Sequence, residues 1–275
     1  MNFANPEPLY PYAGGKGKCI KHFSKYLKYA QTYIEPFFGG GAVYCHMYNL
    51  GLAKRFIIND IREDIIGIYR SIIFDHATLY EEVNDLVCMY NSLATVGQKE
   101  RMFYEQRDLC KTNYSSAKCL FLSISDFGGM PKISIDGYYR GTSGHNIYDR
   151  RIISLSKENI INWANALERT EICCGDFQKV PINHHDALIF CDPPYHASRI
   201  QYGLFPKSDQ IRCFNWCVSA SQNKNITVLL SNRDNNRFFS DRCGPDIEIL
   251  TYRVAYSAGE NVKDDEALFI WNRRK

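Results

Sequence analysis

The chain has 275 residues, 45% of them hydrophobic and 14% aromatic, which suffices for one large packed domain or for a core carrying an insertion. A formal net charge of +3 permits a polyanionic partner without arguing for one. No apolar run reaches membrane-spanning length and the Met1 region has no signal-peptide core, so the eleven cysteines are expected as reduced thiols in the cytoplasm.

The first feature along the chain is a Gly-rich loop, Pro11 to Lys18, which is expected to lead into a helix through Tyr29. It resembles a phosphate loop only superficially. Tyr12 stands where the Walker pattern needs Gly, and Cys19 where it needs Ser or Thr. A β-rich run, Thr32 to Phe37, is followed by Phe38-Gly39-Gly40-Gly41 and by helical character from Ala42 to Leu50. A second strand, Arg55 to Asp60, ends on an acid about twenty residues after the glycines, the spacing of a nucleoside-cofactor site. There the glycines admit a close backbone approach and the acid holds ribose hydroxyls. The third Gly of a dinucleotide fingerprint is missing, because Tyr44 occupies its place.

From Arg62 to Thr112 apolar residues recur at three- and four-residue spacing, as in Ile65, Ile66, Tyr69, Ile72 and Ile73, and predict helix. Ser115 to Ser123 continues it. The texture changes at Asp126-Phe127-Gly128-Gly129. Asp136-Gly137 then predicts a β-hairpin. Around it Lys132, Tyr138, Arg140, Arg150 and Arg151 interleave bases with aromatics, a mixture suited to phosphate contact and base-edge readout.

A helix around Asn159 to Leu167 precedes the strand Glu171 to Cys174, the Gly175-Asp176-Phe177 loop and the apolar strand Ala187 to Cys191. A helix near Gln210 to Ser221 leads to the strand Asn225 to Ser231. The runs Ile247 to Val254 and Ala267 to Trp271 are expected as an antiparallel pair at the sheet edge. The alternation implies an α/β fold with a mostly parallel sheet. The cysteines form no paired CxxC, and His46, His76 and His145 show no ligand spacing, so the cysteines are expected in the core rather than on a metal.

The motif with the most chemistry is Asp192-Pro193-Pro194-Tyr195, closing the apolar strand. In open α/β sheets the loops beyond the carboxyl strand ends form the ligand crevice. An exocyclic nucleobase amine is a poor nucleophile, because its lone pair is delocalised into the ring. Acceptors at both its N–H groups, the Asp192 carboxylate and the Pro193 carbonyl, would localise that pair. Pro194 has no N–H to compete and biases Pro193 toward an extended conformation. Tyr195 offers a flat face on which a base could stack.

Taken together, Gly14-Gly15-Lys16, Phe37 to Gly41, Asn59-Asp60-Ile61, Gly175-Asp176-Phe177 and Asp192 to Tyr195 occur in an order that resembles the Dam-class (D12) adenine-specific DNA N6-methyltransferases of alpha motif order. The resemblance runs from Tyr12 to Ile270 and is weakest in the middle third. It implies a Rossmann-like S-adenosylmethionine-dependent methyltransferase sheet, formed by residues 1–68 and 168–275. Residues 69–167 would be an inserted, mostly helical target-recognition domain bearing the β-hairpin. It also implies S-adenosyl-L-methionine as cofactor, double-stranded DNA as partner, a monomer, and compatibility with a cognate restriction endonuclease acting independently.

By position, Glu35 and the Phe37, Phe38, Gly39, Gly40 and Gly41 turn would face the methionine part of the cofactor, and Asp60, with Ile61 beside it, the ribose. Asp176 and Phe177 would meet the cofactor's adenine, Tyr12 would line its pocket, and Asp192 would also be among the cofactor-binding residues. Lys16 would lie toward the DNA. Asp192, Pro193, Pro194 and Tyr195 would grip the flipped adenine beneath a loop, His196 to Phe205, in which Ser198 and Tyr202 would touch DNA.

Two departures stand out. Glu35 replaces the family's usual Asp. Ser123-Ile124-Ser125 and Phe127-Gly128-Gly129 replace the signatures of GATC-specific members, which argues against GATC as target. Cytosine N4 or an amide nitrogen of protein or RNA, a nicotinamide-dependent oxidoreductase, and a DNA-binding module without catalysis remain as alternatives at this stage. The missing third Gly and the proline pair count against the second, and the intact Asp192 turn against the third.

Overall fold

The structure is a computed structural model and describes residues 5–12, 14–126, 143, 152–182, 185–195, 205–223, 225–255 and 263–272. The expected hairpin, together with Lys132, Tyr138, Arg140, Arg150, Arg151, Ser198 and Tyr202, lies outside them.

Seven strands form one sheet: β1 (Ala30–Glu35), β2 (Ala53–Asp60), β3 (Thr170–Cys174), β4 (Ala187–Cys191), β5 (Ile226–Asn232), β6 (Glu248–Ala255) and β7 (Lys263–Asn272), in the order β3-β2-β1-β4-β5-β7-β6. The first five are parallel, and β7 runs antiparallel to both β5 and β6. The chain runs outward from β1 to β3 and then returns to β4 on the other side of β1, which makes β1/β4 the topological switch point. The two closing runs do pair antiparallel, but β7 inserts beside β5 and leaves β6 at the edge.

Strands β4 and β5 are buried along their whole length, which explains an apolar run without alternation. Helix α7 (Lys207–Ser221) packs Cys213, Phe214, Trp216 and Cys217 into the same core as Ile189, Val228, Phe269 and Trp271. All eleven cysteines are unbridged, and six of them, among them Cys191, Cys213 and Cys217, are buried.

The helix expected through Tyr29 is only one turn, α1 (Ile20–Phe23), flanked by 3-10 turns at Lys16–Lys18 and Ser24–Tyr26. Lys18, Lys21, Lys25 and Lys28 follow one another at three- and four-residue spacing, so a continuous helix would line up four like charges. Helix α2 (Ala42–Asn49) follows the glycine turn.

The chain divides into two compact units. One comprises residues 16–38, 46–61 and 169–275 and holds the sheet. The other comprises residues 1–15, 39–45 and 62–168 and is mostly helical. Its helices are α3 (Glu63–Ser92), α4 (Val96–Thr112), α5 (Ser116–Ser125) and α6 (Lys157–Leu167). Helix α3 breaks at Asp75, whose extended backbone interrupts it and whose carboxylate accepts from the Thr78 N–H and hydroxyl as a cap for the second half. Ile65, Ile66, Tyr69 and Ile72 are buried as the spacing predicts, whereas Ile73 is exposed one position off the stripe. A reciprocal capping box, Thr95 with Gln98, starts α4.

Trp163 of α6 organises this unit. Its ring stacks on Tyr44 at 5.2 Å and meets Tyr69 at 4.9 Å, while Nε1 donates to the Glu7 carbonyl at 2.7 Å. Trp163→Ala removes a fully buried side chain and is expected to lower stability by about 3–5 kcal/mol in urea unfolding. A loss below about 1 kcal/mol would mean that the stack carries little of the unit's stability.

Candidate active site

Four acids stand at the carboxyl ends of four neighbouring parallel strands: Asp176 beyond β3, Asp60 at the end of β2, Glu35 at the end of β1 and Asp192 beyond β4. The row spans three strand spacings, about 14 Å, and crosses the switch point where an elongated ligand binds in such sheets.

Asn59, which sequence reading passed over as part of a strand end, ties the loops of this edge together. Its Nδ2 donates to the carbonyls of Pro36 (2.9 Å) and Gly175 (3.0 Å), and its own carbonyl accepts from the Phe38 N–H (2.9 Å). The Gly175 N–H donates to the Asp60 carbonyl at 3.0 Å. Glu35 is buried and accepts from the Tyr33 hydroxyl at 2.9 Å. Burial first, and then the Glu35 charge, push the Tyr33 hydroxyl far above its ordinary range, so it stays a donor.

Phe37 packs against Phe177 (5.1 Å) and meets Phe205 edge-on (5.8 Å), forming an aromatic wall. Asp176 accepts from the Gln178 N–H (2.9 Å) and from Arg212 Nη1 (2.7 Å), and that guanidinium also lies 4.7 Å over the Phe177 ring. Burial would raise the Asp176 carboxyl, but the Gln178 N–H and Arg212 outweigh it and hold the group below its usual range. Asp60 is buried, whereas the neighbouring Ile61 is exposed.

In the helical unit, Tyr12 lies directly on the glycine turn. A Cβ on Gly40 would come within 2.6 Å of the Tyr12 Cβ, and one on Gly39 within 2.9 Å of its ring. Gly39 and Gly41 also have φ of +51° and +69°, which a side chain would strain. The glycines thus admit a tyrosine of the chain itself.

Lys16, expected on the DNA side, is buried against two carboxylates. The side chain is 4% exposed, with Nζ 3.1 Å from Asp192 Oδ2 and 3.9 Å from Glu266 Oε2. Burial opposes its charge, yet the two carboxylates together raise its pKa above the ordinary lysine value. Asp192 is 20% exposed. Burial pushes its carboxyl up to about 6, a rise that the Lys16 ammonium limits and the Glu266 charge adds to. Asp192 Oδ1 is buried with no hydrogen-bond partner among the described residues.

Tyr195 is anchored by its hydroxyl to Ser231 Oγ (2.7 Å) and Glu266 Oε2 (2.8 Å), with the Lys16 ammonium 4.7 Å from its ring centroid. Gln210 of α7 donates to the Pro194 carbonyl (2.6 Å) and accepts from Asn232 (3.0 Å), which fixes the turn from below. Glu266, Ser231, Asn232, Gln210 and Arg212 were not foreseen. The one available signal was polar residues interrupting apolar strands, at Ser231-Asn232 and just before Ala267.

The raised Asp192 carboxyl predicts a pH signature. A fold that favours the protonated acid is most stable below the unfolded value of about 4 and loses that contribution as pH rises through about 6. The Tm of Asp192→Asn relative to the unsubstituted chain is therefore expected to climb between pH 4.5 and 7.5. A difference that stays flat or falls would contradict the raised value.

Residues 12–242 match the model of the D12 class N6 adenine-specific DNA methyltransferase family. The type II methyltransferase M.MjaIII of Methanocaldococcus jannaschii is 29% identical over 260 residues, covering 85% of this chain and 86% of its own length. The type II methyltransferase M.CviBI of Paramecium bursaria Chlorella virus NC1A is 26% identical over 232 residues, covering 81% and 82%. The DNA adenine methylase of Vibrio cholerae is 22% identical over 271 residues, 94% of each chain. With a mostly parallel sheet and a family match spanning most of its length, this chain belongs to the D12 class of N6 adenine-specific DNA methyltransferases.

Proposed function

We propose that this chain transfers the methyl group of S-adenosyl-L-methionine to N6 of an adenine flipped out of double-stranded DNA, in one direct in-line step. The observation that carries the reading is the row of acids along the carboxyl strand ends, with Asp192 and its proline turn beside the switch point. The donor set suits this cofactor. Glu35 is a buried acceptor for its amino group, Asp60 for ribose hydroxyls and Asp176 for an adenine amine, beside the aromatic wall of Phe37 and Phe177. When bound, the cofactor supplies an electrophilic methyl group on a cationic sulfonium.

The chain's own residues do the rest. Asp192 and the Pro193 carbonyl accept from the two N–H groups of the target amine, align it, and favour the positive charge that builds on the nitrogen. The amine becomes acidic once methylated, and a carboxyl raised to about 6 can take the proton it sheds. The Tyr195 ring offers its stacking surface to the flipped base, offsetting part of an unstacking cost of a few kcal/mol.

Residues 1–68 and 168–275 are assigned to catalysis and residues 69–167 to target recognition, with Arg140 and Arg150 contacting DNA beside Lys132, Tyr138 and Arg151. Ser198 and Tyr202 would act in the loop over the base. The enzyme would work as a monomer in the cytoplasm, alone or alongside an independent restriction endonuclease. None of the described helices is long and apolar enough to cross a membrane.

In a labelled-methyl transfer assay on duplex DNA, Asp192→Ala is expected to lose roughly a thousandfold or more in rate, about 4 kcal/mol, with cofactor affinity essentially retained. Loss of cofactor binding instead would refute the assigned role. Nucleoside analysis should recover N6-methyladenine, and N4-methylcytosine would contradict the base assignment. Paired removal of Arg140 and Arg150 is expected to raise the DNA concentration needed for half-maximal rate without altering cofactor affinity. Unchanged DNA dependence would exclude them from the interface.

A further inference from the structure

Glu266 is fully buried in β7, opposite Tyr252 of β6, and its environment is costly. Its Oε2 accepts from the hydroxyls of Tyr195 (2.8 Å) and Tyr252 (3.1 Å) and lies 3.9 Å from Lys16 Nζ. Its Oε1 is buried with no hydrogen-bond partner among the described residues. A buried carboxylate with half its acceptor capacity unused is a poor way to stabilise a strand, since an apolar side chain in its place is often neutral or better. The single ammonium it shares with Asp192 suggests what it is for.

Resting on the methyl-transfer reading above, we propose that Glu266 is a positioning residue of the acceptor site: it fixes the Tyr195 ring through its hydroxyl and offers Lys16 a second seat. The ammonium can then leave Asp192 Oδ2 when a base amine arrives. Lys16 Nζ lies 3.1 Å from Asp192 Oδ2, which on the methyl-transfer reading is the oxygen a base amine would use. An ammonium left there would compete for the acceptor and oppose positive charge growing on the amine nitrogen. A short move toward Glu266 would free the acceptor, weaken the repulsion and keep the buried charge paired. The ionisable groups acting on Asp192 are Lys16 and Cys19 from the amino-terminal turn, Tyr33 of β1, the adjoining Cys191, Tyr195, Tyr252 of β6 and Glu266.

The test is Glu266→Gln. Its amide oxygen still accepts from both tyrosines, so Tyr195 stays in place while the charge is lost. We expect kcat for DNA methylation to fall about tenfold or more with the cofactor KM unchanged, and Glu266→Asp to recover part of the loss. Carboxyl-carbon NMR, recorded without DNA, should show the Asp192 midpoint moving to lower pH in Glu266→Gln, because a neighbouring negative charge is gone. Lys16→Met, an independent variant, should move it to higher pH. Wild-type kcat together with an unmoved midpoint in Glu266→Gln would overturn the proposal. A wild-type chain that methylates no DNA would instead remove the reading beneath it, while the midpoint shift would still decide whether Glu266 governs Asp192.

Discussion

One buried ammonium between two carboxylates sets the chemistry of this molecule. Lys16 Nζ lies 3.1 Å from Asp192 and 3.9 Å from Glu266, inside a region where an unpaired charge of either sign would cost several kcal/mol. The three groups come from distant parts of the chain: the Gly-rich start, the turn after β4 and the antiparallel strand β7. Their meeting obliges β7 to lie between β5 and β6 and the amino-terminal turn to reach the carboxyl edge of the sheet.

From that cluster the site extends along the sheet edge by simple geometry. Parallel strands deliver their carboxyl ends to one side, so a single acid at or just past each of four strands yields a row of acceptors with fixed spacing. Asn59 locks three of the loops to one another, and Gln210 with Asn232 locks the fourth. On the proposed in-line transfer such anchoring would matter, because alignment of amine and methyl group would supply much of the acceleration. Around this anchored edge the buried ammonium sits within 4 Å of both carboxylates, 3.1 Å from Asp192 and 3.9 Å from Glu266.

Much of this was legible in the residues. Apolar runs ending on acids located β1, β2 and β4, and the proline pair marked the turn that closes β4, because these are local patterns with one dominant physical meaning. What escaped was non-local. The lysines from Lys18 to Lys28 repel one another along a helix that their neighbours favour, so the long helix is only one turn. The ion pairs of Lys16 were not legible, because its two partners are more than 170 residues away in sequence. Glu266 carried no periodicity at all, being one polar residue before an apolar run. Glycines at Gly39 and Gly40 were read as room for a ligand, and they also make room for Tyr12.

The most direct test of the account is single-molecule, modification-sensitive sequencing of DNA from a methylation-deficient host expressing this chain, beside the same host expressing Asp192→Ala. N6-methyladenine confined to one short sequence motif, and absent with the variant, is the predicted result. An unmodified genome despite abundant folded protein, or methylation that survives loss of the Asp192 carboxylate, would contradict it.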